Sequence, residues 1–262
     1  MNAISLIFFV TAVILVTPVY ADPETETVNP DPNKRELTQE EIDQGIGRVG
    51  EVEANPENFH YTDAETKLWL DDHLKNIDRP VKLYYEFVKS GSYEEGFTDS
   101  VYLDIVKVNE DGTKNALLDF FTADRKQAVN PDNVTNIRGN PVLGIYMQGD
   151  IYEMNRLTEG HWRYFQKMIK IALRDNAIVE PVIFKFNGAQ YQGEKISFSP
   201  FAKDPHRSDF ERFADKHYEI VLSEQIPGEL FQIKTVIPNK DSKVTEPLIS
   251  ETLTLVEANF KD

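Results

Sequence analysis

Val81, Leu83, Tyr85 and Phe87 alternate with more polar neighbours, the period of a strand with one buried face. Similar patterns predict strands at 100–108 and 114–122, joined through Asn109-Glu110-Asp111-Gly112, whose Asp-Gly tolerates positive φ. Further strands are expected at 182–186 and 190–198 around the Asn187-Gly188 turn, then at 218–222, 229–237 and 248–256. Between these runs the period changes to that of a helix. Thr62 and Glu65 are spaced as a capping box opening a helix to Ile77, with Leu70, Leu74 and Ile77 on one face and Asp78-Arg79-Pro80 as its stop. Residues 123–141 are polar and rich in turn clusters, which predicts a long surface loop. Val142–Met147 is expected as a short strand, and Asp150 with Glu153 as the cap of a brief helix. Residues 200–215 form a charged connection with one helical turn near Asp209–Phe213.

The longest helical pattern is Thr158–Ala177. At 100° per residue, Arg163, Lys167, Lys170 and Arg174 share an arc of about 60°, while Trp162, Phe165, Met168, Ile169, Ala172 and Leu173 cover most of the other side. Two readings of the basic ridge stand: the solvated edge of a docked helix, or a holder of an anion, a lipid headgroup or an acidic partner. The order of helix, strand meander, helix pair and strand meander predicts an α+β fold: a mainly antiparallel curved sheet, or incomplete barrel, of about eight strands with the helix pair packed on one face. No Pro/Gly-rich linker divides residues 59–262, so a single α+β domain is expected there.

The N-terminal region differs in kind. Residues 1–21 carry no charged side chain, run apolar from Ile4 to Val16 and end in Val19-Tyr20-Ala21, as a cleaved export signal does. An uncleaved anchor is the alternative, although the apolar run is short for a span. Residues 22–58 are expected as an acidic, largely disordered leader. From Asp22 to His60 eleven acids face three bases, half of the chain's net charge of −16. Such an acidic balance argues against nucleic acid as a partner, and no later stretch is apolar enough to span a membrane once the signal is removed. The absence of cysteine excludes disulfides and thiolate chemistry, and in an exported chain of this size points to a bacterial periplasm.

Candidate chemistry is sparse. The five histidines, His60, His73, His161, His206 and His217, show no metal-ligand spacing, so no metal or cofactor is implied. His217 and Glu219 share a strand face, the arrangement of ordinary cross-strand partners. Gly-x-Ser-x-Gly, Ser-x-x-Lys and phosphate-loop patterns are missing, and the 44 acids offer too many carboxylate pairs to choose a catalytic one. Arg138, His206 and Arg207 are secondary candidates, set to line one mouth if their loops share an end of the sheet. Tyr84, Tyr85, Phe87, Phe120, Phe121, Phe184, Phe186, Tyr191 and Phe198 lie on strands, either filling a core or lining an apolar cavity whose opening meets the ridge.

The run Gly149-Asp150-Ile151-Tyr152-Glu153-Met154-Asn155-Arg156-Leu157-Thr158, then Tyr164-Phe165 and the later Ile226-Pro227-Gly228, resemble an uncharacterised family of exported proteobacterial proteins across residues 80–256. That resemblance implies an envelope location and brings no activity. The sheet-plus-helix order is also similar to that of periplasmic lipoprotein carriers, as an analogy of architecture. The expectation is a non-catalytic periplasmic binding or accessory protein that takes an amphiphilic small molecule or an envelope protein through Trp162, Arg163, Lys167, Lys170 and Arg174. An exported hydrolase acting on envelope or nutrient polymers is the alternative.

Overall fold

The computed structural model describes residues 60–261, apart from 123–124, 127–132 and 242–243. The expected export signal and acidic leader lie outside the described residues. Nine strands form one open antiparallel sheet: β1 (Val81–Ser90), β2 (Phe97–Val108), β3 (Lys114–Phe120), β4 (Asn133–Ile137), β5 (Ile178–Phe186), β6 (Ala189–Phe198), β7 (His217–Leu222), β8 (Leu230–Ile237) and β9 (Ile249–Phe260). Their order is β4-β3-β2-β1-β9-β8-β7-β6-β5, so two meanders join where the last strand slots beside the first. Among the described residues, β4 and β5 are the two edges of the sheet. Register shifts at Tyr84/Tyr85, Ile105/Lys107, Lys114/Ala116 and Val221/Leu222 insert the bulges by which a long sheet bends.

Alternation gives the sheet two unlike faces. Val81, Leu83, Tyr85 and Phe87 are buried, as are Val101, Leu103 and Ile105 on β2 and Ile249, Leu253 and Leu255 on β9. The other face is polar, with Lys82 over the Tyr102 ring at 4.4 Å and Glu219 paired to Lys195 at 3.3 Å. His217 bonds Ser199 at 2.9 Å, so His217 and Glu219 serve as ordinary strand-face partners. The inner face is covered by α2 (Pro141–Thr158) and α3 (Trp162–Asp175), a helix pair with short companions: α1 (Asp63–Glu65), α4 (Arg207–Phe210) and a 3-10 turn at Glu211–Asp215. The sheet-with-helix-pair architecture is the one its periodicity predicts.

Three local expectations are corrected. Residues 142–147 are the start of helix α2, not a strand. Asn140 caps it, its side chain accepting from the Val142 amide, and Pro141 sits where a missing N–H costs nothing. Val142, Leu143, Tyr146, Met147, Asp150, Ile151 and Met154 then trace one buried helical stripe, so Asp150 lies inside the helix and caps nothing. The loop 123–141 contains edge strand β4, whose polar residues are held by Asn115 and Asn109 side chains bonding Asn136 at 3.1 and 3.2 Å. Finally, the Thr62 capping box forms, but only three α-helical residues follow before a π-helical turn at Thr66–Leu70. Buried His73 ends that path, because its Nε2 meets the Lys67 carbonyl at 2.6 Å while Leu74 N–H donates to the Arg138 carbonyl at 3.0 Å.

Candidate functional site

The turn between β7 and β8 is held by side chains from distant segments. The Asn76 side chain donates to the Ile226 carbonyl at 2.5 Å and accepts from the Gly228 amide at 3.2 Å. Asn140, besides capping α2, donates to Tyr85 Oη at 3.0 Å and to the Gly228 carbonyl at 2.9 Å. His73 accepts from the Asn140 amide at 3.1 Å on Nδ1, which leaves Nε2 as the protonated nitrogen facing Lys67. Gly228 has φ +77°, and a Cβ there would stand 2.7 Å from Leu83 Cδ1. The Ile226-Pro227-Gly228 run is thus a turn that only glycine closes.

That turn forms one wall of an open cleft of about 900 Å³. The β5–β6 hairpin supplies Pro181, Val182, Ile183 and Gly193, and the π-helical turn supplies Lys67 and Asp71. Pro181, Val182, Ile183 and Leu222 make its apolar surface, and Asp71, Glu194, Glu224 and Glu229 its acids. Ile183 is 66% exposed and Ile178, on the same edge strand, 61%. Glu229 is the unusual member. It is 4% exposed and adopts φ +57°, a strained choice for a side chain other than glycine or asparagine. Its buried Oε1 is paired with Lys75 Nζ at 3.3 Å, an ammonium it shares with Glu224 at 2.5 Å. Burial pushes the Glu229 carboxyl above the usual carboxylate range, against the pull of Lys75.

A second polar cluster lies at the opposite end of the sheet, beneath α2. Asp150 bonds buried Lys216 and accepts from Tyr218 Oη at 2.5 Å. Lys89 bonds Glu94 at 2.6 Å, Glu153 at 2.8 Å and Glu251 at 3.2 Å, and Arg156 reaches both Glu94 and Glu153 at 2.9 and 2.7 Å. Tyr146 donates to Glu251 at 3.4 Å. Burial raises Tyr146 and Tyr218 well above the phenol range, helped by Glu251 and Asp150 for the first and by Asp150 for the second, so both remain donors. Burial works against the charge of Glu153, but its bonds from Arg156 and Lys89 prevail and hold it down at about 2. The cluster, four carboxylates on three cations, braces α2 against β1, β9 and the start of β7. Its only sequence trace is the 3.6-period stripe of α2, which places Asp150 among apolar residues.

The basic ridge lies on α3 as the helical pattern requires. Phe165, Ile169, Ala172 and Leu173 are buried, while Arg163, Lys170 and Arg174 are exposed and Lys167 is half-buried. Arg163 stacks on Trp162 at 4.7 Å and Arg174 binds Asp175 at 2.7 Å. Of the aromatic strand residues, Tyr85, Phe87, Phe120, Phe184, Phe186 and Phe198 are buried, Phe198 stacking on Tyr218 at 4.8 Å, whereas Tyr84 stacks on Tyr102 at 5.0 Å on the polar face and Tyr191 is half-buried. The secondary candidates do not share a mouth. Arg138 binds Asp72 at 2.9 Å and the Asp111 carbonyl at 3.0 Å, beside the β2–β3 turn. Arg207 pairs with Asp215, and His206 lies 3.6 Å from Asp209, both beside the start of β7 at the other end of the sheet. The Asp204–Asp209 segment is anchored by buried Asp204, whose Oδ1 accepts from Tyr164 Oη at 2.6 Å and from the His206 amide at 2.8 Å.

No protein-family model matches the chain, and no curated protein matches it in sequence. Among solved structures it is similar to the lipoprotein LppX of Mycobacterium tuberculosis, at 9% identity over 73% of this chain and 93% of that one, with a TM-score of 0.29. A LolA-superfamily protein of Nitrosomonas europaea is similar at 8% identity over 76% and 94% of the two chains, with a TM-score of 0.20. At these scores neither neighbour transfers a residue or a ligand to this chain.

Proposed function

We propose that the chain is an exported, non-catalytic binding protein of a bacterial envelope, holding an amphiphile in the cleft between the β5–β6 hairpin and the Ser223–Glu229 turn. The observation that carries this reading is a concave surface with apolar Pro181, Val182, Ile183 and Leu222 beside a charged rim. Export is supported by the uncharged, apolar residues 1–21 ending in Ala21. The non-catalytic part is supported by the Asp150–Glu153–Glu251 cluster, whose acids are matched by lysine, arginine and tyrosine and lie away from the cleft. The ridge of Lys167 and Lys170 is a second surface, for an acidic partner. One observation favours the exported hydrolase instead: Glu229 is a desolvated acid in a cleft, the environment of a general acid.

The test is incubation of the purified chain with a total lipid extract of a bacterial envelope, followed by repurification and mass analysis of both fractions. Co-purifying intact amphiphile is the expected result. Cleaved lipid, or a chain that emerges bare, would overturn the proposal.

A further inference from the structure

We propose that the outer side of α3 is a docking face for an anionic lipid bilayer. This rests on the reading of the basic ridge as a surface for an acidic partner, and it names that partner. Arg163, Lys167, Lys170 and Arg174 extend over about 16 Å of the helix in a single stripe. Arg163 and Lys170 are exposed, and among the described residues no carboxylate pairs with either. The only acid of α3 is Asp175, which holds Arg174 at 2.7 Å at the helix end. In a chain of net charge −16, a stripe of cations is a local reversal of sign.

Apolar side chains bracket the stripe. At its N-terminal end Trp162 is half-buried, carries the Arg163 guanidinium over its ring and meets exposed Tyr152 at 6.2 Å. At its C-terminal end the chain passes from Asp175 into β5, whose first residue, Ile178, is exposed. Thr62 Oγ1 donates to the Leu173 carbonyl at 3.4 Å, which ties α1 to the same end. Helix α1 also packs on β5, and the π-helical turn after it exposes Trp69 and Leu70. A bilayer offers both chemistries at one surface: phosphate anions for guanidinium and ammonium groups, and hydrocarbon just beneath for aromatic and aliphatic tips. A soluble acidic protein answers the cations alone. The acidic remainder of the chain is repelled by the same headgroups, so the stripe sets which side faces the membrane. Strand β5 leads from Ile178 to the cleft residues Pro181, Val182 and Ile183 within about 17 Å, so docking by this face brings the cleft near the layer that supplies an amphiphile.

The test is flotation of the purified chain with vesicles of phosphatidylcholine alone and of equimolar phosphatidylcholine and phosphatidylglycerol. The chain is expected to float with the anionic vesicles only, and to be released in about 1 M salt, where the screening length falls to about 3 Å. Arg163→Glu with Lys170→Glu is expected to weaken anionic-vesicle binding at least about tenfold, and Ile178→Asp to weaken it severalfold while the salt dependence persists. Equal flotation with both kinds of vesicle, or full binding by a charge-reversed variant with an unchanged melting curve, overturns the proposal. Should the charge-reversed variant not fold, the wild-type lipid and salt series decides alone. Polyglutamate, titrated in parallel, separates this proposal from the reading beneath it. Capture of polyglutamate without anionic vesicles overturns the bilayer and leaves the acidic-partner reading standing; capture of neither overturns both.

Discussion

Lys216 and Asp150 are each nearly inaccessible, and each removes the charge problem of the other. Taking one away leaves a buried ion without a partner, so Lys216→Met is expected to cost about 3–5 kcal/mol in chemical denaturation. Adding Asp150→Asn should recover part of that loss, because Asn still accepts from Tyr218; strict additivity would contradict the pairing. The carboxylates also set opposite pH responses. Glu153 is held down at about 2 against an ordinary 4.5, so its contribution is present above pH 4.5 and is lost as pH falls through about 2. Glu153→Gln should therefore cost about 2 kcal/mol at neutral pH and flatten the acid limb of the stability curve. Glu229 has the reverse sign. Its raised value means that wild type has its greatest margin over Glu229→Gln below pH 4.5 and loses it as pH rises through the folded-state value. Denaturation midpoints for the pair measured across that range check the sign.

At the scale of elements, most strands and the amphipathic helix were legible because their periods are pure. The exceptions have identifiable causes. Helix α2 opens with Val142-Leu143-Gly144-Ile145, where β-branched residues and a glycine mimic a strand, and the decisive signal is the Asn140-Pro141 start. Strand β4 has no apolar alternation because it is an edge, held by backbone pairing to β3 and by asparagine side chains. The helix expected from Thr62 to Ile77 fails because His73 and Leu74 bond to distant backbone and side-chain groups, which sequence spacing does not reveal. Two substitutions test these joints. Asn140→Ala removes a cap and leaves Tyr85 and the Gly228 carbonyl without a donor, for an expected loss of about 2–3 kcal/mol in thermal denaturation. Gly160→Ala places a Cβ 2.6 Å from Phe165 Cζ and is expected to cost about 1–3 kcal/mol.

For the molecule as a whole, the sheet spends one face on helices and leaves the other polar, so binding falls to its rims and to the outer side of the helix pair. The basic ridge was readable from one helix because all of its residues lie within four turns. The cleft was not, since Lys67, Ile183, Glu194 and Glu229 come from four separate segments joined only by folding. The ridge proposal predicts that Lys167→Glu with Lys170→Glu weakens capture of an acidic partner at least tenfold by surface plasmon resonance while stability changes by less than about 1 kcal/mol. The measurement that tests the central claim most directly is native mass spectrometry of the chain beside its Ile183→Asp variant, both produced with residues 1–21 in a bacterial host and purified gently. The account predicts a small-molecule adduct on the wild type that disappears on denaturation and is missing from the variant. A bare mass for both proteins, or an adduct retained equally by the variant, would contradict it.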